Sequence, residues 1–504
     1  MKKLTITVIT WLVILVLFRC NPSDNFAIKL TSISPDTKVS HMPSFTLTAT
    51  GSNFDPDSII VFNGTEKQTT FESSTELACQ IHPNDIVLGS SGNHEHMISG
   101  TMKDKTVPVL VRSRLTGAGD SNRLYFTIRD NYTFNESIRI FDDSSLSSGP
   151  RISVDSAGNI DVVWTNIVYN PGAPAKTQIY FSRSINDGLN WSQPVNISNP
   201  LEFSGSPAFA LDSSGNINVV WNDRTPGNLD IYFNRSTDGG ETWSQAVNIS
   251  NTPGVSQSPV IAVDYAGNID VTWFDEIDFN YDIYFIRSTD DGLTWSQVVS
   301  ISNHLEYSSR PDIAVDIAGN IYVAWSASSP HGFDIYFSRA SVDSLSWSQP
   351  VNISNTLDSS MSPAIVVDSA GNPSVVWYDL IYMGKINKSI IRFSHSTDSG
   401  TTWSQPVNLS DKMDINYSDD IAVDSAGNIN VIWSDDSLGQ LYLNFRRSID
   451  NGATWSQVVS VSNNIRTPLW PAMALDGAGN IDVVWVDIFP GNEDDDIFFA
   501  SSTR

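Results

Sequence analysis

The stretch LDSSGNINVVW at residues 211–221, followed by DIYFNRSTDGGETWSQAVNISN at residues 230–251, decides the fold. Alternating apolar runs (INVVW, DIYFNR) have the period of half-buried strands, and the Gly, Asn and Asp clusters between them are turn signals. The first phrase recurs seven times between residues 148 and 504, closing at Trp164, Trp221, Trp273, Trp325, Trp377, Trp433 and Trp485. The second phrase closes at Trp191, Trp243, Trp295, Trp347, Trp403 and Trp455, with a spacing of 52 residues at every step except one of 56. A period of that length, with four strands per unit, predicts an all-β chain containing a β-propeller with one blade per repeat.

Within a unit, strand A is the I-A-V-D type stretch and strand B ends on the first tryptophan. Strand C is D-I-Y-F-S-R, and strand D is S-Q-P-V-N-I-S. The A–B hairpin occurs seven times but the C–D turn six times, because the chain stops just after its seventh strand C, at residues 496–499. The texture of residues 135–142 (NESIRIFD) matches the missing strand D, so pairing with residues 495–500 is expected to close a ring of seven blades without an open edge. Six blades is the alternative count.

The C–D turn, S-x-D-x-G-x-T-W, resembles the Asp-box, or bacterial neuraminidase repeat. It is clear at residues 236–243, 288–295, 396–403 and 448–455, and carries Asn186 in place of the aspartate in the first copy. In the fourth copy Val342 and Ser344 replace the aspartate and the glycine. The aspartates read as turn formers rather than as catalytic acids or calcium ligands.

Residues 27–130 have a different texture, with short alternating runs between Gly, Asn, Asp and Pro clusters, as in a small antiparallel sandwich. The segments ISP at 33–35, GSNF at 51–54, FNGT at 62–65 and SNRLYFTI at 121–128 resemble the IPT/TIG immunoglobulin-like domain. That resemblance implies a spacer or interaction module without catalysis. His94 and His96, with His82, fall in a loop-like stretch and read as solvated rather than as a metal site. Cys79 reads as a buried small hydrophobe.

Lys2 and Lys3 precede an apolar run over residues 4–18, which has the form of a secretory signal and is short for a membrane span. Residues 1–20 are therefore read as a signal peptide of lipoprotein type, with Cys20 as the lipidation site. Arg19 departs from the small residue such signals carry, and an uncleaved N-terminal anchor is the other reading. The expectation is an exported monomer at the cell surface, touching membrane only through this segment. A formal net charge of −27 excludes nucleic acid as a partner, since phosphate binding needs a basic footprint.

Function is expected where the copies differ. These are the B–C connections (165–176, 222–230, 274–282, 378–388, 486–496) and the D–A connections (304–311, 412–419, 464–471), which share one face of the propeller at residues 133–504. Asp223, Asp275, Asp379, Asp435 and Asp487, with Tyr281, Tyr307, Tyr378 and Trp470, form a candidate ligand-binding set. Carboxylates bond sugar hydroxyls and rings stack on their apolar faces; the same oxygen donors would suit calcium, and no other cofactor is implied. The reading is a binding module for glycan or an extracellular protein. The alternative is a glycoside hydrolase of sialidase-like type, since the Asp-box resemblance implies an arginine triad and a tyrosine–glutamate pair. The non-repeated Arg224, Arg310 and Arg466, with Tyr417 and Glu276 or Glu306, are the residues available for those roles. Arg183, Arg235, Arg287 and Arg339 recur at one repeat position and read as structural.

Overall fold

A computed structural model describes residues 16–17, 28–34, 37–39, 45–62, 64–81, 105–113, 124–129, 133–141, 145–168, 175–198, 203–224, 227–303, 305, 307–383, 386–410, 416–436, 441–462, 467–488 and 495–503. Cys20, His82, His94, His96, Glu306 and Arg466 lie outside this set. Among the described residues there is no helix, and none is therefore long and apolar enough to cross a membrane. The chain divides into two compact units, Met1–Thr133 and Phe134–Arg504.

The first unit is two sheets over one core. One holds Ile28–Ser34, Phe45–Ser52, Glu76–Ile81 and Thr69–Ser73 in that order, with Val16–Leu17 at its edge. The other holds Thr37–Val39, Leu124–Arg129, Lys105–Ser113, Ser58–Phe62 and Thr65–Glu66. Leu30, Ile33, Leu47, Phe54, Ile60, Phe62 and Leu77 fill the space between them. Cys79 is a buried free thiol within that core.

Among the described residues, the second unit contains seven sheets. The second is representative: Ser204–Leu211, Ile217–Asp223, Asp230–Ser236 and Val247–Asn248 pair antiparallel in chain order. The first strands of the seven are Leu146–Val154, Ser204–Leu211, Val255–Val263, Ser309–Val315, Ser359–Val367, Asn416–Val423 and Thr467–Leu475. Each packs beside the first strand of the next sheet, and the last packs beside the first. The seventh sheet completes itself from the other end of the unit, where Ile138–Arg139 pairs antiparallel with Asp495–Thr503. This is the pairing expected from the texture of residues 135–142.

Two turn chemistries explain the repetition. Between first and second strands, Asp264 Oδ1 accepts the N–H groups of Ala266 and Asn268, at 3.0 and 2.9 Å, while Gly267 takes φ +86°. The same carboxylate pattern recurs at Asp155, Asp212, Asp316, Asp368 and Asp424. Between third and fourth strands, Asp238 Oδ1 accepts from Thr242 N and Ser236 Oγ, and Ser236 Oγ accepts the Gly240 N–H. The Thr242 hydroxyl, then the Thr242 N–H and the Ser236 hydroxyl, hold the Asp238 carboxyl down at about 2. A Cβ on Gly240 would lie 2.1 Å from the Phe181 ring of the preceding sheet, so close approach demands glycine there.

Trp243 then stands edge-on to Phe181, with centroids 5.3 Å apart. The relation repeats for Trp295 and Phe233, Trp347 and Phe285, Trp403 and Phe337, and Trp455 and Phe393. In the first sheet, Trp191 makes the same contact with Phe499 of the last. The second-strand tryptophans, Trp164 through Trp485, are the most deeply buried large side chains, at 0–1% exposure. They form the core between sheets, and the turn tryptophans only flank it.

Candidate functional site

Two residues after five of the seven second-strand tryptophans stands a buried carboxylate, with Asn166 and Ala327 in the first and fourth sheets. Asp223, Asp275 and Asp379 are 0% exposed, Asp487 2% and Asp435 6%. Asp223 accepts from Ser204 Oγ at 2.5 Å, and Asp275 accepts from Ser256 Oγ at 2.9 Å and from Thr252. Asp379 gathers Ser360 Oγ, Trp377 Nε1 and Arg392 Nε within 2.6–2.8 Å. These side chains pin the start of a first strand to the end of a second strand. They do not stand on the exposed connections where carboxylates facing a ligand were expected. A buried carboxylate survives only with such partners, which explains the recurring Ser and Asp at these sites.

The recurring arginines are also structural. Arg183 pairs with Asp155 and Asp161, Arg235 with Asp212, Arg287 with Asp270, and Arg447 with Asp424. Burial pushes Asp161 and Asp270 up to about 6 despite their arginines.

The features that face solvent lie elsewhere. Each first strand has a β-bulge near its start, for example between Gly205 and Ala208 and between Ser309 and Asp312. The residue inside the bulge is left-handed: Gly149, Ser206, Ser258, Arg310, Ser362 and Trp470 have φ between 50° and 57°. Where other copies place Gly or Ser, the fourth sheet places Arg310, which is exposed, and the seventh places Trp470 at 41% exposure. Arg310 Nη1 donates to Ser362 Oγ at 2.5 Å and to Tyr378 Oη at 3.3 Å, both on the neighbouring sheet. Bulky side chains in this conformation are costly, and they concentrate at functional sites.

A second group sits on the hairpin of the third sheet. Tyr281 stacks on Tyr307, with centroids 5.2 Å apart and planes 26° apart, and lies 6.4 Å from Phe274. A hydrogen bond to Glu276 holds the Tyr281 hydroxyl above its ordinary range. Asp278 and Phe279 form the two-residue turn with φ of 53° and 64°, and Phe279 is 87% exposed. Such turns normally carry Asn-Gly, so a phenylalanine here was not anticipated from the turn chemistry.

Sequence reasoning also missed a carboxylate group on the first strands, two residues past the bulge. Other copies read Ala208, Val260, Ala364 and Ala472 there, whereas the fourth and sixth sheets carry Asp312 and Asp420 and the first carries Arg151. Asp312 accepts the Ile365 N–H of the next sheet at 2.7 Å, and Asp420 accepts that of Met473 at 2.7 Å. Burial pushes Asp312 up to about 7 and Asp420 to about 6, and both feel the Arg151 charge. Asp419 beside them is driven well above the carboxylate range, first by burial and then by Asp420. Misalignment of single residues against the repeat was the available signal.

Of the other expected residues, Arg224 is exposed at the end of a second strand. Tyr417 falls in the strand Asn416–Val423, but its side chain is outside the described set. Among the described residues, the contacts of Arg310 are to Ser362 and Tyr378, not to Arg224. Among the described residues, no three His, Cys, Asp or Glu side chains gather as a metal site would require.

Residues 29–109 match the IPT/TIG domain. No curated protein matches the chain. Among solved structures, an ulvan lyase of polysaccharide lyase family PL25 gives a TM-score of 0.51 at 13% identity, covering 72% of this chain and 95% of its own. A fungal alcohol oxidase of the AA5 family, solved with copper, gives 0.51 at 15% identity, over 74% and 76%. An α-L-arabinanase from Penicillium chrysogenum, complexed with arabinobiose, gives 0.46 at 14% identity, over 73% and 98%. At these identities the likeness is one of fold.

Proposed function

We propose that this chain is an exported glycan-binding protein, anchored at the cell surface through its N-terminal segment and Cys20. In this reading an immunoglobulin-like IPT/TIG module carries a seven-bladed Asp-box propeller. The IPT/TIG match at residues 29–109 supports the first part. The circular succession of first strands, the Trp191 contact with Phe499 and the six homologous turns support the second.

The observation that carries the binding assignment is the set of left-handed bulge positions. Small residues occupy most of them, but Arg310 and Trp470 project where the copies disagree, and Tyr378 is tied to Arg310. A guanidinium and an exposed indole, with Tyr281 of the third sheet stacked on Tyr307 of the connection to the fourth, supply the donor and the aromatic platforms that pyranose rings require. The ulvan lyase of similar fold acts, by its name, on a polysaccharide. The reading rests on the side chains rather than on that likeness. A glycan array probed with wild type, Trp470→Ala and Arg310→Ala tests it. Retention of some glycan by wild type and its loss in both variants is expected; no retained glycan for wild type removes the assignment.

One observation favours a second reading, a glycoside hydrolase of sialidase-like type. Asp312, Asp419 and Asp420 are carboxyls raised by burial, the first and last feeling the Arg151 charge, and a protonated carboxyl near neutral pH is what general-acid cleavage uses. Turnover of a fluorogenic sialoside that is lost in Asp420→Asn and Arg310→Ala would place this reading first.

A further inference from the structure

The fourth sheet breaks the repeat at the end of the sheets opposite the second-to-third-strand connections, and a cavity of about 350 Å³ lies there. Asn320, Tyr322, Arg339, Ser341, Trp347 and Ser399 are among the residues that line it. Four other sheets carry arginine at the position of Arg339, namely Arg183, Arg235, Arg287 and Arg447, and each of those has an aspartate partner. Arg339 has lost both of the carboxylates available to such an arginine. Tyr322 stands where the first and third sheets place Asp161 and Asp270. The Tyr322 hydroxyl also lies 3.0 Å from Asp316 Oδ2, the turn carboxylate whose counterparts Asp212 and Asp424 receive an arginine. That contact and burial push the Tyr322 hydroxyl well above its ordinary range.

Arg339 consequently makes only neutral contacts, from Nη1 to the Ser399 carbonyl oxygen at 2.5 Å and from Nη2 to Thr401 Oγ1 at 3.4 Å. Among the described residues it forms no ion pair. The third-to-fourth-strand turn has Val342 and Ser344 in place of its aspartate and glycine, and its one carboxylate, Asp343, is exposed and does not line the cavity. The Trp347 indole forms part of the cavity wall, with its Nε1–H buried away from the accessible space as at Trp191 and Trp295. Ser341, Ser346 and Ser348 complete the lining, the Ser348 hydroxyl being held by the Arg339 backbone N–H.

We infer that this cavity is an oxyanion site, in which Arg339 and the Ser341 and Ser346 side chains bind a sulfate, phosphate or carboxylate group. A half-buried guanidinium without a counter-charge, in a chain of net charge −27, is the place where a single anionic group gains most from binding. The site is independent of the glycan face, and its test uses no glycan.

Isothermal titration calorimetry at low ionic strength, with inorganic sulfate, inorganic phosphate and acetate as separate probes, distinguishes the sources of the oxyanion. Saturable binding of at least one probe is expected, weakened about tenfold or more by Arg339→Gln. Tyr322→Asp, which restores the carboxylate of the other sheets, should weaken it equally by pairing with Arg339. Thermal unfolding reports whether that variant is folded, and if it is not, Arg339→Gln decides alone. No saturation by any of the three probes, or binding unchanged in Arg339→Gln, overturns the proposal.

Discussion

Ser374 Oγ and His395 Nδ1 lie 2.7 Å apart in the buried fifth sheet, where the first and third sheets set Asp161 against Arg183 and Asp270 against Arg287. A charged pair has been exchanged for a neutral one at the same site. Installing one charge alone strands it: Ser374→Asp should lose about 3–5 kcal/mol, and the double variant Ser374→Asp/His395→Arg should recover most of it. Urea unfolding of the three proteins measures both, and a double variant as unstable as the single would refute the equivalence.

His395 also gives a pH signature. Burial pushes its pKa below 6.5, so the unfolded chain binds more protons once the pH falls below that value. Stability should therefore decline as the pH drops from 6.5, and His395→Gln should flatten this part of the profile.

Asp312 and Asp420 act in the opposite direction. Their folded values of about 7 and about 6 exceed the 3.8 of the free side chain, so the native state holds protons that the unfolded state has released. Their contribution is fully present below pH 4 and is lost as the pH rises through 6 and 7. Asp312→Asn should be more stable than wild type at pH 8, by about 1–3 kcal/mol, with the gap closing toward pH 4. Denaturant melts at the two pH values decide it.

Asp379 is a test of the strand pins. Removing its carboxylate leaves Arg392 Nε, Trp377 Nε1 and Ser360 Oγ without their acceptor, and Asp379→Ala should cost about 3–5 kcal/mol. A loss under about 1 kcal/mol would return Asp379 to the list of candidate ligand contacts.

Phe279 separates stability from recognition. Phe279→Gly relieves a left-handed aromatic residue and should stabilise the protein by about 1 kcal/mol, while weakening retention of any glycan bound at Tyr281 and Tyr307. Stability raised with binding unchanged would detach the turn from the site.

Much of the fold was legible because the repeat states it many times. The turn aspartates, the glycine under Phe181 and the closing pairing of Ile138 with Phe499 all follow from spacing and turn chemistry. The site was less legible because exposure is not written in a loop's polarity. Asp223 and Asp379 look like ligands beside a variable connection, yet a serine across the hairpin claims each. Asp312, Asp420 and Arg310 were accessible only by comparing equivalent positions. The bulge that turns Arg310 toward Tyr378 depends on pairing register, which no local pattern reveals.

The pairing of Ile138 with Phe499 sets a schedule for biosynthesis. Its two halves are separated by about 360 residues, which take roughly 20–70 s to polymerise at ordinary ribosomal rates. Through that interval the first sheet presents Trp191 and Gly188 to a neighbour not yet made. The nascent ring thus carries an apolar flank that the seventh sheet, Phe499 included, has yet to cover, and this interval is when a holding chaperone has most to protect.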